Sequence, residues 1–359
     1  MSVDFAEIVL EVVDRRASDL HLTAGVPPMV RVRGRLSPLE GYPALTPTDT
    51  REIVYSILSN DQRQRFETEW QIDFAYAIPN TARFRVNAYF QRAAVGAAFR
   101  LIPAEIQSLD TLGLPPAVHD FATRPRGLVL VTGPTGSGKS TTLASVLDLV
   151  NETREEHIMT IEDPIEFLHG HKKCIVNQRE LGADATTFGS ALKAALRQDP
   201  DVILVGEMRD LETIRTAITA AETGHLVFAT LHTQDTPQTV DRIIDVFPAE
   251  QQGQVRVQLA VSLQGILTQQ LLPTADGSGR CVAVEVLIPT PAVRNLIREG
   301  KTHQIYSVLQ TGGAHGMQTM DTALAGLVRA GKITRQLAEA RSTTPEELRR
   351  LLGSMPLAA

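Results

Sequence analysis

The apolar residues of the first hundred positions follow helical spacing at first and strand spacing later. Helical spacing opens the chain at Phe5, Ile8, Val9, Val12 and Val13. Two further helices are predicted over 46–59 and 61–70, each beginning near a Thr or Asp cap. Alternating apolar and polar residues predict a hairpin over 29–39, turning near Gly34, and three strands within 72–102. Such strands with short turns are typical of an antiparallel sheet with one wet face, so residues 1–102 are predicted to form a small α+β domain.

The rest of the chain alternates short apolar strands with longer helices. A segment rich in proline and glycine, 103–116, is predicted to link two domains. Beyond it, unbroken apolar strands are predicted at 127–132, 157–162, 202–207 and 226–231. Toward the C-terminus the pattern predicts a loop over 273–280, a strand over 281–288, helices from Pro291 and a frayed tail after Leu352. Apolar strands between helices indicate a parallel sheet covered on both faces, so residues 117–359 are predicted to form an α/β domain.

A glycine-rich phosphate loop directly follows the first of these apolar strands. The run GPTGSGKS from Gly133 to Ser140 matches G-x-x-x-x-G-K-[ST] in full, between a strand and a predicted helix. Its glycines allow backbone N–H groups to face phosphate oxygens, and the helix adds its positive N-terminal end. Lys139 is expected to neutralise the β- and γ-phosphates and Ser140 to bind Mg²⁺, so ATP and Mg²⁺ are the predicted ligands. The predicted nucleotide-binding residues are Gly133, Pro134, Thr135, Gly136, Ser137, Gly138, Lys139, Ser140 and Thr141.

Acidic residues and a histidine follow other predicted strands at their carboxyl ends, where parallel α/β sheets bind ligands. Glu207 is expected to polarise water or to hold Mg²⁺ through water, although Gly206 stands where an Asp is usual before such a Glu. Glu162 is the second candidate for activating water. His225 and His232 bracket the strand 226–231, and His232 is the better candidate for sensing the γ-phosphate.

Composition and charge narrow the class of protein. The net charge is −6, which argues against a dedicated nucleic-acid binder. The two cysteines, Cys174 and Cys281, form no CxxC pair, so neither a disulfide framework nor a zinc site is expected. The acidic N-terminal segment does not match a signal peptide, and no apolar run reaches the roughly 20 residues of a membrane span. The chain is therefore expected to be soluble and cytoplasmic, without nucleic acid as a partner.

Four motifs in order resemble those of the secretion-superfamily ATPases. They are GPTGSGKSTT, TIEDPIEF, ALRQDPDVILVGEMRD and TGHLVFATLHT, similar to the Walker A, Asp, Walker B and His boxes. The branch that retracts type IV pili is the closest in its motifs. AVRNLIREGK from Ala292 is similar to that branch's AIRNLIRE motif, with Val293 in place of Ile, and HGMQTMDTAL from His315 also fits. The longer N-terminal extension and tetracysteine motif of assembly and type II secretion ATPases are absent from the sequence.

The resemblance implies a PAS-like α+β N-terminal domain followed by a RecA-like P-loop domain. It also implies a homohexameric ring, peripheral to the inner face of the cytoplasmic membrane, that turns an inner-membrane platform protein and thereby withdraws pilin during twitching motility. Two arginines match the family's arginine fingers, Arg85 in RFRVNAYF and Arg100 in AAFRLIP, although Arg83 is an alternative to Arg85. Arginine suits the role because its rigid cation stabilises charge on a transferring phosphoryl group.

Three other functions remain open from the sequence. A related pilus-assembly or type II secretion ATPase would share the motifs. A DNA or RNA motor would use the same RecA-like core, but no interleaving of aromatic and basic residues supports it. A weakly active, ATP-binding accessory retraction protein would bind nucleotide and rarely turn over.

Overall fold

The computed structural model describes residues 4–32, 34–78, 81–102 and 105–353. The chain divides into two compact units, Met1–Glu105 and Ile106–Ala359. Three predicted features extend outside the described residues: Arg33 of the hairpin, the first two linker positions 103–104, and the tail over 354–359.

The first unit combines three helices with an antiparallel sheet. Its elements are α1 (Phe5–Asp14), β1 (Asp19–Leu22), β2 (Met29–Val32), β3 (Arg35–Pro38), α2 (Pro47–Ile57), α3 (Asn60–Glu69), β4 (Gln71–Ile78), β5 (Ala82–Gln91) and β6 (Ala94–Ile102). In the described residues the strands form a six-stranded sheet in the order β3-β2-β1-β6-β5-β4. All neighbours are antiparallel, which confirms the predicted sheet type.

Local sequence explains how these helices begin and how the core forms. Reciprocal capping boxes start α2 at Thr46 and α3 at Ser59, because the cap side chain and the third helical residue satisfy each other's backbone N–H groups. The prediction of an Asp cap for the second of these helices was therefore wrong. Strand β1 was not predicted, because its four residues are too few to show a pattern. The buried aromatic core of the unit includes Phe66, Phe84 and Phe99.

The second unit is an α/β sheet followed by a helical region. Its elements up to the last strand are α4 (Ala117–Ala122), β7 (Gly127–Thr132), α5 (Lys139–Thr153), β8 (His157–Glu162), β9 (Ile175–Glu180), α6 (Phe188–Ala195), β10 (Val202–Val205), α7 (Leu211–Thr223), β11 (Leu226–Leu231), α8 (Thr236–Asp245), α9 (Ala249–Ser262), β12 (Leu263–Pro273) and β13 (Arg280–Leu287). The helices that follow are α10 (Pro291–Arg298), α11 (Ile305–Thr311), α12 (Met320–Arg329), α13 (Arg335–Arg341) and α14 (Pro345–Leu352). Short 3₁₀ turns lie at Leu109–Thr111, Thr302–Gln304 and Gly312–His315.

The sheet of the second unit is parallel except at one edge. Among the described residues it has seven strands in the order β13-β12-β7-β11-β10-β8-β9, and only the β12–β13 pair is antiparallel. Side chains alternate between two cores, so Leu128 and Leu130 pack on one face and Val129 and Val131 on the other. The covered parallel sheet is thus confirmed.

The predicted bounds of two strands were wrong, and two strands were missed. β10 ends at Val205 rather than at Glu207, and the last strand covers Arg280–Leu287 rather than 281–288. β9 and β12 were not predicted. β12 begins at the residue after α9 ends, so no turn residues separate the helix from the strand in the sequence.

Candidate nucleotide site

The phosphate loop connects β7 to α5 and is held by conformations that favour glycine. Gly133, Gly136 and Gly138 have φ values of 136°, 79° and 92°, which L-residues with a side chain rarely adopt. Gly133 also passes close to β12, because a Cβ there would lie 2.4 Å from the backbone oxygen of Gln269. The loop is therefore fixed against the sheet on the side of Gly133.

The other side of the loop fits an anion. A Cβ added at Gly136 or Gly138 would meet nothing within 4 Å. The buried hydroxyl of Ser137 has no hydrogen-bond partner among the described residues. α5 begins without a side-chain cap and without an acidic residue in its first turn, so its N–H groups are not satisfied by a carboxylate. These features suit the phosphates of a nucleotide.

Lys139 bends back onto the loop that precedes it. Its Nζ donates to the carbonyl oxygens of Gly133 at 2.8 Å and Pro134 at 3.1 Å. Burial lowers the pKa of Lys139, and the negative charge of Glu207 opposes this shift. The hydroxyl of Ser140, one residue later, is exposed, as a residue that would hold Mg²⁺ beside the phosphates needs to be.

The sheet order ranks the predicted carboxylates by their distance from the loop. β7, β11, β10 and β8 are consecutive strands, and neighbouring strands lie about 4.8 Å apart. His232, after β11, is thus one strand from the loop, Glu207 two strands, and Glu162, on β8, three strands or about 14 Å. Glu207 is the better placed of the two acids to act on water.

The carboxylate of Glu207 contacts two side chains, those of Arg209 and His232. Its Oε1 lies 2.6 Å from Nε of Arg209 and 3.3 Å from Nε2 of His232. Burial alone would raise the pKa of Glu207, but Arg209 and His232 outweigh it and lower the pKa. The carboxylate therefore stays charged and can accept a proton. Arg209 was missed by the sequence reasoning, although it stands in the GEMRD motif two residues after the predicted base.

Glu162 has a different environment. Its side chain is buried and accepts hydrogen bonds from the Thr160 hydroxyl at 2.7 Å, the Gln178 amide at 3.2 Å and the Glu166 backbone at 3.3 Å. Burial raises the pKa of Glu162, and these bonds act in the opposite direction. The carboxylate oxygens of Glu162 are satisfied by donors on β8, on β9 and in the loop that follows β8. Glu162 is therefore well suited to hold these segments together at the edge of the site.

The two histidines lie at opposite ends of β11. His225 precedes the strand, and its Nδ1 lies 3.0 Å from the carbonyl oxygen of Ala220 in the preceding helix. Six strand residues separate it from His232, a span of about 20 Å. The structure therefore brings His232 to the phosphate loop of the same chain, and not His225.

The departure from the usual acidic pair at Gly206 has a steric reason. A Cβ at this position would lie 3.1 Å from the carbonyl oxygen of Ile161 and 3.2 Å from Cα of Glu162. The backbone is drawn close to β8 by the bond from Gly206 N to Ile161 O at 2.8 Å. An Asp would therefore be crowded against β8, and glycine avoids that contact.

The predicted arginine fingers are neighbours on the sheet of the first unit. Arg85 on β5 and Arg100 on β6 are directly opposite in register, and both are exposed. Nε of Arg100 donates to Asp19 Oδ1 at 3.0 Å, whereas the side chain of Arg85 makes no hydrogen bond or ion pair with any described residue. Like charges placed opposite each other destabilise a sheet, so this face favours an anionic partner. Arg83 lies on the same face and is half-buried.

None of the helices in the described ranges has both the length and the apolar character that a membrane span requires.

Comparisons with known proteins identify the family of the chain. The family model for type II/IV secretion system protein matches residues 73–350. The chain is 52% identical over 344 residues to the type IV pilus retraction ATPase PilT of Pseudomonas aeruginosa, covering 96% of this chain and 99% of that protein. It is 43% identical over 350 residues to the type IV pilus ATPase PilU of the same organism, covering 98% of this chain and 91% of that protein.

A solved structure is similar to this chain over nearly the full length of both. The crystal structure of the pilus retraction motor PilT with bound ADP matches with a TM-score of 0.91 at 52% identity, covering 97% of this chain and 99% of that one. The resemblance to pilus-retraction ATPases is thereby confirmed. So is the predicted fold class, a small N-terminal domain followed by a RecA-like P-loop domain.

Proposed function

The chain belongs to the type II/IV secretion system protein family, and we propose that it is an ATP-hydrolysing motor that retracts type IV pili and so drives twitching motility. One observation carries the proposal. The phosphate loop, His232 and the charged Glu207 follow the ends of three consecutive strands, β7, β11 and β10. The chain that carries them is similar over nearly its whole length to a retraction ATPase.

The chemistry follows from the residues around the loop. The loop N–H groups, Ser137 and Lys139 bind the phosphates of ATP, and Mg²⁺ bound at Ser140 supplies charge neutralisation between them. Glu207 accepts the proton of the attacking water, with Glu162 ordering the neighbouring edge of the sheet. His232, which contacts Glu207 at 3.3 Å, senses the γ-phosphate.

The arginines are proposed to act on the site of a neighbouring subunit. Arg85 has no partner among the described residues, and its guanidinium would stabilise charge on the γ-phosphoryl group in transfer. Arg100 beside it would contribute from the same face. A homohexameric ring would then be needed for activity, because each site is completed by another copy of the chain.

The motor cycle is proposed to use the connection between a PAS-like domain over 1–102 and a RecA-like domain over 117–359. Within the predicted linker 103–116, Gln107 already accepts a hydrogen bond from Ser145 at 2.6 Å and Leu109 is buried in the second unit. The linker as a whole is the proposed hinge, and its part from Gln107 onward is attached to the second unit. The ring would act in the cytoplasm, peripheral to the membrane, on a platform protein of the pilus.

The first test measures Mg²⁺-dependent ATP turnover against protein concentration, with Glu207→Gln as the control. Specific activity that rises with concentration and disappears in the variant is the expected result, because sites are completed on assembly. Absence of turnover above the control at every concentration would refute an autonomous motor and favour the accessory, ATP-binding function.

The second test mixes two inactive variants, Arg85→Ala and Lys139→Ala. Each ring interface needs a loop from one subunit and an arginine from the next. Random mixing in equal amounts should therefore restore about a quarter of the interfaces. A mixture as inactive as its components would show that Arg85 does not act between subunits.

The cellular test separates retraction from pilus assembly. The chain is expressed in cells that lack their retraction ATPase, and twitching and surface pili are scored, again with Glu207→Gln as the control. Restored twitching with fewer surface pili is expected. Restored assembly without twitching would instead indicate an assembly ATPase.

A further inference from the structure

The contacts of Glu207 are concentrated on one of its two oxygens. Both Nε of Arg209, at 2.6 Å, and Nε2 of His232, at 3.3 Å, lie against Oε1. Neither contact is made to Oε2. A carboxylate that is to take a proton from water benefits from this asymmetry, because one oxygen fixes the orientation of the group while the other remains able to accept.

The backbone around Arg209 is fixed on both sides. The preceding residue, Met208, is buried and its N–H donates to Thr230 O at 3.1 Å. The following residue, Asp210, caps α7 by accepting from Thr213 N at 2.9 Å and the Thr213 hydroxyl at 2.7 Å. These contacts fix the backbone on both sides of Arg209 but not its side chain, which lies against Glu207.

The pair is unequal in exposure, which argues against a purely stabilising role. The side chain of Arg209 is 69% exposed and that of Glu207 is 17% exposed. Exposed ion pairs contribute little to folding because solvent screens them and both side chains lose entropy. The main effect of the Arg209 guanidinium is therefore to fix the orientation of the half-buried Glu207 carboxylate, and its contribution to the folding stability is small.

We propose that Arg209 is a positioning residue for ATP hydrolysis, whose guanidinium fixes Oε1 of Glu207 and thereby directs Oε2 toward the attacking water. The inference rests on the proposed ATPase function. In the step itself, the water oxygen forms a bond to the γ-phosphorus and the bond from that phosphorus to the β,γ-bridging oxygen breaks. ADP leaves with that electron pair, and the water proton passes to Oε2.

The test compares Arg209→Ala and Arg209→Lys with Arg350→Ala. Arg350 is an exposed arginine on α14 that makes no hydrogen bond or ion pair with any described residue, so it controls for the loss of a surface charge. Arg209→Ala is expected to lower kcat about 10- to 100-fold, the range for loss of a hydrogen bond to a charged group. The KM for ATP should change by less than about twofold, with Arg209→Lys intermediate and Arg350→Ala unchanged.

A rescue experiment distinguishes positioning from general structural damage. Because the side chain of Arg209 is exposed, guanidinium ions at non-denaturing concentration can reach the space it leaves. They should restore turnover in Arg209→Ala in proportion to their concentration and should not restore Glu207→Gln.

Three results would overturn the inference. They are an unchanged kcat in Arg209→Ala, a raised KM with kcat unchanged, which would place Arg209 on the nucleotide, and failure of both guanidinium and lysine to restore any turnover. Wild-type protein without turnover would instead refute the proposed ATPase function, so the two failures are distinguishable.

Discussion

Gly133 and Gly136 belong to the same phosphate loop, but an alanine at each should damage the protein in different ways. Both have positive φ, 136° and 79°. The Cβ of an alanine at Gly133 would lie 2.4 Å from Gln269 O and 2.7 Å from Ser137 Oγ. The Cβ at Gly136 would meet no atom of the protein within 4 Å, because it would enter the space proposed for phosphate.

The structure allows the two costs to be estimated. A residue forced into a sparsely populated backbone region costs about 1–3 kcal/mol, and overpacking a tight contact costs about 1–3 kcal/mol more. Gly133→Ala carries both and should lose about 2–6 kcal/mol of unfolding free energy. Gly136→Ala carries only the left-handed strain, about 1–2 kcal/mol. Its Cβ should instead weaken nucleotide binding about tenfold or more, as expected when a charge-assisted hydrogen bond is lost.

Urea unfolding followed by circular dichroism, together with titration of a fluorescent ATP analogue, measures both quantities on the same samples. The comparison requires equal m-values, so that a shifted midpoint reports stability. Gly133→Ala should show the larger loss of stability, and Gly136→Ala should lose affinity beyond its small loss of stability. Equal destabilisation by the two variants, or wild-type affinity in Gly136→Ala, would refute the assignment of the two sides of the loop.

Two further predictions concern buried polar groups in the second unit. Glu285 accepts from Thr236 N and its hydroxyl at 2.9 and 2.8 Å and from Met320 N at 3.4 Å, and so joins the starts of α8 and α12. Glu285→Ala should therefore cost about 2–6 kcal/mol in urea unfolding, because the two buried N–H groups left unsatisfied cost about 1–3 kcal/mol each. Thr236→Val, which keeps the backbone donor, should cost clearly less, and equal costs would contradict this account. Tyr306→Phe should lose about 1 kcal/mol, because the hydroxyl donates to Glu347 at 2.9 Å. Burial raises the pKa of Tyr306 from 10.0 to about 12. The stability that the protonated hydroxyl contributes is therefore complete below pH 10.0 and is lost as the pH rises to about 12. Unfolding measured across that pH range should show this loss in the wild type and not in Tyr306→Phe.

Features that are formed by neighbouring residues could be predicted from the sequence, and features that depend on distant residues could not. The phosphate loop is contained in eight consecutive residues of GPTGSGKS, and its flanking strand and helix carry their own patterns. The fold class followed from the same kind of evidence, strands and helices of ordinary length with clear periodicity. β9 was not predicted because four of the six residues of IVNQRE are polar, and β12 was not predicted because it follows α9 without a turn.

The ranking of the site residues could not come from local pattern. Glu162 and Glu207 both end apolar segments, and His225 and His232 both border β11, so the sequence could name a preferred member of each pair but could not say how far each side chain lies from the phosphate loop. The order of the strands separates the two acids and the two ends of β11 separate the histidines, and that order depends on pairing between strands that are distant in the sequence. The role of Arg209 was hidden for a related reason, because a charged residue after a strand is usually a solvated one.

Gly206 shows how one steric fact connects these levels. An Asp at this position would be crowded against β8, since the backbone there is close enough for Gly206 N to donate to Ile161 O at 2.8 Å and a Cβ would lie 3.1 Å from that oxygen. A second acid there would also place a like charge beside Glu207, which would raise the pKa of Glu207 and work against a charged base. The glycine thus brings β10 closer to β8 and leaves Arg209 and His232 as the groups that set the charge of Glu207. In this arrangement the carboxylate is held by Arg209 and His232 of its own chain, which leaves the proposed stabilisation of the γ-phosphoryl group to Arg85 of a neighbouring subunit.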